Sequence, residues 1–258
     1  MEEVLRAFGV NKNTLTEVEK TDLEMQGFVC LPNVISEEQI SLFSARLEEL
    51  LEAEGERAGI EVSQQEGSLR LSDLINKDEM FDYCYTQPRL LAAVSQILSS
   101  DFKVHSLNSH FSLPGQGHQK LHADWGSANE KETQEFKELG RYFVANSLWL
   151  LDDITDDNGP TRFVPGSHRQ GVFIGEEMED CLQAHPEEVF VNAPAGTVVV
   201  FNGHTWHGAT LNRSDQPRRV MHMAFVRRHL PQQTDQKAHL RPETGERLTT
   251  QMRFLLDV

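Results

Sequence analysis

Phe143-Val144-Ala145-Asn146-Ser147-Leu148-Trp149-Leu150-Leu151-Asp152-Asp153-Ile154-Thr155-Asp156-Asp157-Asn158-Gly159-Pro160-Thr161-Arg162-Phe163-Val164-Pro165-Gly166 is the stretch that decides the fold class. Two short apolar runs, 143–151 and 161–164, are divided by Asp157-Asn158-Gly159-Pro160 and closed by Pro165-Gly166, residue types that favour tight turns. The texture continues outward. Residues 102–113, 189–192, 197–202 and 218–226 are further short apolar runs, with turn residues such as Pro194-Ala195-Gly196 between them. Many short strands joined this way predict a mainly β protein, a barrel or a sandwich.

Upstream the period becomes helical. Ser36 with Gln39 forms a capping-box pattern, and Ile40, Phe43, Leu47, Leu50 and Leu51 recur at helical spacing, which predicts a helix over about 36–54. A second apolar stripe, Leu90, Leu91, Val94, Ile97 and Leu98, follows Pro88. Gly27-Phe28-Val29-Cys30-Leu31-Pro32 reads as a buried strand, and residues 1–20, polar and without a strong period, as a loosely held arm or short helix. The polar stretch 126–141 reads as an exposed loop or short helix that could act as a lid. A single domain over 1–258 is expected: arm 1–20, helical support 21–100, β core 101–228 and C-terminal segment 229–258.

The chain carries 24 Lys and Arg against 40 Asp and Glu, a net charge of −16. Such a surface repels phosphate backbones and anionic headgroups, which disfavours nucleic-acid and membrane-surface partners. No run of about 18 apolar residues occurs, and the acidic N-terminus is unlike a secretory signal, so a cytoplasmic protein is expected. Three scattered cysteines, Cys30, Cys84 and Cys181, suggest free thiols. Residues 213–258 reverse the trend, with nine Arg and Lys against five acids, so an anion site is expected there; Arg227 and Arg228 suggest an anionic group on a small-molecule substrate.

Eleven histidines raise the question of a metal, and spacing discriminates. His122 and Asp124 lie at i and i+2, on one side of an extended backbone, and His207 follows 85 residues later. Two neutral imidazoles and a carboxylate can occupy one face of an octahedral ion and leave three positions open, the arrangement of non-haem Fe(II) oxygenases. His185-Pro186-Glu187 offers a competing pair, but it lies in an acidic stretch with too little chain before His207 to place it across a barrel. His204 has an odd offset from His207 and faces away from it. A dicarboxylate cosubstrate needs a cation, and Arg218 or Arg219, at the start of the next apolar strand, could form a bidentate fork; alternation points the two to opposite faces without choosing between them.

Taken in order, the 27–32 strand, the capped helix, His122-Ala123-Asp124-Trp125, the 152–160 turn region, Val164-Pro165-Gly166-Ser167-His168-Arg169, Ala195-Gly196-Thr197 and His207-Gly208 with Arg218 resemble the phytanoyl-CoA dioxygenase family over residues 20–228. The resemblance implies a double-stranded β-helix (jelly-roll) core with flanking N-terminal helices. It also implies Fe(II) held by His122, Asp124 and His207, 2-oxoglutarate paired with Arg218, and O2-dependent hydroxylation of a small organic substrate that releases succinate and CO2. Two departures stand out. Where members often carry Ser two residues after the distal histidine, this chain has Ala209, so the carboxylate contact falls to Thr210 or to another strand. Where members often carry Trp, it has Leu148, with Trp149 one residue on and hence on the opposite face. Asn146 and Trp125 are further candidates for the pocket, and His168 and Arg169 could touch substrate. Related halogenases have Ala or Gly where Asp124 stands, so hydroxylation is expected. A zinc hydrolase on the same ligands would leave Arg218 without a role, and a non-catalytic jelly-roll binder is the other alternative.

Overall fold

The computed structural model describes residues 1–64, 67–126 and 129–258. Among them are nine strands: β1 (Phe28–Leu31), β2 (Ser68–Leu71), β3 (Phe102–Ser112), β4 (Val144–Leu150), β5 (Thr161–Phe163), β6 (Val189–Val191), β7 (Val198–Asn202), β8 (His207–Ala209) and β9 (Arg218–Arg227). They form two antiparallel sheets, a larger one ordered β1-β7-β4-β9-β3-β2 and a smaller one ordered β6-β5-β8. This is a jelly-roll. The apolar runs read from the sequence become β1, β3 to β7 and β9, while β2 and β8 were not foreseen. Both are short, and β8 contains a glycine, so neither shows an alternating run long enough to register.

Helices cover the outer face of the large sheet. The chain begins with α1 (Glu2–Ala7) and α2 (Glu17–Met25), followed by α3 (Glu37–Glu54), α4 (Asp82–Thr86) and α5 (Pro88–Leu98). Of the two readings of residues 1–20 the short helix holds, and it is docked rather than loose: Val4, Leu5 and Leu15 are buried in the main core. In α3, Ser36 accepts from the Gln39 N–H and Gln39 reaches back to the Ser36 N–H, completing the capping box. The main core lies between these helices and the sheet and includes Phe43, Leu47, Leu90, Leu91, Val94 and Trp149. Trp149 is wholly buried there, its ring edge-on to Tyr83, while Leu148 turns to the inside of the roll.

Residues 126–141 are not a free lid. Helix α6 (Glu130–Leu139) buries Phe136 against Trp125 and Phe173, and none of its described residues lines the central cavity; Ser127 and Ala128 lie outside the described residues. After β9, the C-terminal segment returns to the core through Leu248, Leu255 and Leu256. Cys30, Cys84 and Cys181 are free, and burial pushes the Cys30 thiol up to about 11. Among the described residues, no helix is long and apolar enough to cross a membrane.

Candidate active site

A cavity of about 230 Å³ opens between the two sheets. β8 carries His207 to one wall. A two-residue antiparallel bridge pairs it with His122, each backbone N–H donating to the other's carbonyl at 2.9 Å. Gly208 permits that approach, because a Cβ there would stand 2.9 Å from the Lys120 carbonyl oxygen. The backbone of Asp124 is tied by its N–H to the Gly203 carbonyl at 2.8 Å.

The imidazole tautomers follow from the backbone. His122 Nδ1 faces the Lys120 carbonyl at 2.9 Å and His207 Nδ1 faces the Thr205 carbonyl at 2.8 Å. A carbonyl oxygen only accepts, so each Nδ1 carries the proton and each Nε2 is left with a lone pair. Both Nε2 atoms point at Asp124: His207 at 3.2 Å from one carboxylate oxygen and His122 at 3.5 Å from the other. The three groups place one ligand atom each within 4.8 Å of one another, the donor set for a divalent ion of borderline softness.

Asn146 joins this cluster through Asp124: its side-chain N–H, buried on β4, donates to the carboxylate. Trp125 is turned away from the cavity. It is 6% exposed and stacks on Phe143 (4.7 Å between ring centroids) and on His204 (4.6 Å). His204 is buried in the same aromatic cluster and accepts the Phe143 N–H at 3.0 Å; burial drops it to about 3.

Alternation on β9 sends the two arginines to opposite faces. Arg219 points outward and grips Asp152 with contacts of 2.7–3.2 Å, reaching Glu48 at 2.9 Å. Arg218 points into the cavity. It is 4% exposed, its Nε is buried with no partner among the described residues, and burial lowers it to about 10. Thr210 does not join it, since its hydroxyl donates to the Pro160 carbonyl at 2.7 Å. Arg227 and Arg228 do not face the cavity either. Arg227 donates to the Tyr142 and Leu98 carbonyls and Arg228 to that of Phe254, so neither marks an anionic substrate. His168 and Arg169 form a turn beneath α2, contacting the Glu24 carbonyl and Met25, and line no part of the cavity. His185 keeps to its loop, where its Nδ1 accepts the Glu187 N–H.

Several cavity residues escaped the sequence reading: Arg70 on β2, Asn108 and His110 on β3, Gln119, Thr161 and His222. Arg218, Val220 and His222 share one face of β9 at i, i+2 and i+4, a signal that was present in the sequence. Arg70 carried none, because β2 itself was not visible. His110 and His222 are held neutral by burial, at about 3 and about 4.

The description "Phytanoyl-CoA dioxygenase (PhyH)" fits residues 23–220 of this chain. A "Dioxygenase af480" of Aspergillus fumigatus is 25% identical over 241 residues, covering 91% of this chain and 74% of its own. An "Ectoine dioxygenase" of Bordetella bronchiseptica is 27% identical over 226 residues, covering 78% and 72%. Among solved structures, HygX from Streptomyces hygroscopicus with nickel and 2-oxoglutarate bound superposes with a TM-score of 0.70 at 17% identity, covering 84% of this chain and 89% of that one. The α-ketoglutarate-dependent epimerase SnoN from nogalamycin biosynthesis superposes at 0.61 with 20% identity, covering 82% of each. These structures share the fold. With a family match spanning most of its length and two histidines converging on one aspartate inside a jelly-roll, this chain belongs to the phytanoyl-CoA dioxygenase family.

Proposed function

We propose that the protein is an Fe(II)- and 2-oxoglutarate-dependent oxygenase that hydroxylates an unactivated C–H bond of a small organic substrate. The observation that carries this is the pair of backbone-fixed Nε2 lone pairs aimed at a single carboxylate beside a buried arginine whose Nε has no partner among the described residues. His122, Asp124 and His207 would hold the metal on one face, as the three protein ligands of an open site. Arg218 would take the distal carboxylate of 2-oxoglutarate, since a guanidinium out of water and with no ion pair among the described residues favours an incoming anion. That arginine gives a metal-hydroxide hydrolase nothing to do. Bound together, iron and 2-oxoglutarate would let O2 take four electrons, two from 2-oxoglutarate, which leaves as succinate and CO2 with one oxygen atom, and two from the substrate C–H bond, which keeps the other oxygen as a hydroxyl. The chain orients the imidazoles through two carbonyls, braces Asp124 through Asn146 and encloses the reacting groups between sheets. Asp124 occupies the position that halogenation would require to be open.

The reaction type is tested separately, because the structural neighbours include an epimerase and a carbocyclase. Anaerobic addition of Fe(II) and 2-oxoglutarate should produce a visible charge-transfer band. His122→Ala should abolish it and His185→Ala should not; no band in the wild type would overturn the proposal. A succinate-release screen over a metabolite panel then identifies substrate, and a product heavier by one oxygen atom supports hydroxylation, whereas an isomer or a dehydrogenated ring argues for another outcome.

A further inference from the structure

After β9 the chain runs back along the rim of the cavity and is pinned there through its glutamines. Gln232 donates to the Val104 and Leu256 carbonyls at 2.7 and 3.0 Å, and the buried Gln236 donates to Asp73 at 3.0 Å and accepts from Asn76 at 3.2 Å. Between them the Gln233 N–H rests at 3.1 Å on the carbonyl of His105, the residue at which β3 bulges out of register with β9. The backbone is thus fixed on both sides of Gln233, whose exposed side chain lines the cavity. The direction of its amide follows from a chain of hydrogen bonds. The Asp73 N–H, which only donates, meets Asn108 Oδ1 at 3.2 Å, so Asn108 turns its Nδ2 to Gln233 Oε1, at 3.3 Å. Gln233 Nε2 is left facing away from Asn108, with no partner among the described residues. Asn108, 1% exposed, has a second Nδ2 hydrogen, and its cross-strand partner His222 adds a ring on the same face with no hydrogen bond among the described residues.

We propose that Gln233, oriented by Asn108, is a specificity-determining residue for the primary substrate: its Nε2 hydrogens donate to an acceptor oxygen of that molecule, a carboxylate or a carboxamide carbonyl, at the rim of the cavity. The inference rests on the oxygenase reading above and concerns the substrate, not the cosubstrate. Arg218 and His222 lie four residues apart on β9, about 13 Å along an extended strand, so the wall formed by His222, Asn108 and Gln233 stands away from the arginine. Amide N–H groups reward a carbonyl or carboxylate oxygen, whereas an alkyl group in the same place strips them of water and returns no hydrogen bond. A cavity of about 230 Å³ with such a wall fits a small polar molecule.

The test is the succinate-release screen run on matched triples: an acid, its primary amide and the analogue lacking the carbonyl group, as in L-leucine, L-leucinamide and isoamylamine, or L-proline, L-prolinamide and pyrrolidine. Wild type should take the acid or the amide of a reactive skeleton about tenfold better in kcat/KM than the analogue without the oxygen, as expected for the loss of a hydrogen-bonded acceptor. Gln233→Leu, similar in size and without donors, should erase that preference, chiefly through KM. Gln233→Glu keeps the oxygen that Asn108 holds and puts an acceptor where the donors stood, so it should reject the acid and retain the amide, whose own N–H groups donate. A merely structural role would lower all three members alike in both variants; that outcome overturns the assignment, as does a wild type that tells no triple apart. The charge-transfer band of Fe(II) with 2-oxoglutarate should persist in both variants, and its loss in both would place Gln233 with the cosubstrate and overturn the assignment too. A wild type without any band overturns the oxygenase reading, and this one with it.

Discussion

Asp124 is held from several directions. It meets two imidazoles, receives the Asn146 amide and has its own N–H tied to Gly203. The Asn146 contact is a testable brace. Asn146→Ala should lower Fe(II) affinity about 10–100-fold, the usual consequence of losing an outer hydrogen bond to a ligand, measured by anaerobic titration. An unchanged affinity would mean that the imidazoles alone fix the carboxylate. The residues around Asp124 also show where linear reading stops. His122, Asp124 and His207 announce themselves by type and spacing, and alternation correctly sends Arg218 and Arg219 to opposite faces. Which face is the inside depends on the neighbouring strands, β3 and β4, and these are visible only in three dimensions. Trp125 fails for the same reason: it follows a ligand in sequence, yet the chain turns it into an aromatic cluster with Phe136, Phe143 and His204.

Elements differ in how much of their reason is local. Helix α3 is announced by its capping box and apolar stripe, and Ser36→Ala should cost about 1 kcal/mol in denaturant unfolding while leaving iron binding untouched. The junction between α2 and β1 is a tertiary matter. Gly27 has φ +85°, and a Cβ there would lie 2.3 Å from Thr205 Oγ1 and 2.5 Å from His168 Nδ1. Gly27→Ala combines backbone strain with a clash in a buried corner, so a loss of more than about 2 kcal/mol is expected. A loss no larger than that of Ser36→Ala would show that the corner relaxes freely. The turn at 165–169, legible as a turn, proves to be the other side of this junction, with the Gly166 N–H on the Gln26 carbonyl at 3.0 Å.

At the scale of the whole molecule, burial of neutral histidines sets the response to acid. His204 and His168 are lowered by burial to about 3 and about 4, from an ordinary value of 6.5. The unfolded chain therefore takes up protons that the folded one refuses, so their contribution to stability is complete above about pH 6.5 and is lost as pH falls toward those values. Below about pH 6 each such group should add a slope approaching ~1.4 kcal/mol per pH unit. Unfolding followed at a series of pH values from 7.5 to 4.5 should show stability dropping by more than a single histidine allows; a flat profile would mean that water reaches these rings. The sequence by itself determined the capped helices, most of the strands and the identity of three converging residues, because capping, periodicity and residue type are local properties carried by neighbours in the chain. Only the tertiary structure decided that Arg218 faces inward, that Asn146 braces Asp124, that Gln233 reaches the cavity and that Arg227 and Arg228 are anchored elsewhere. Those outcomes depend on strand register and on which sheet covers which face, quantities set by packing between residues far apart in the chain.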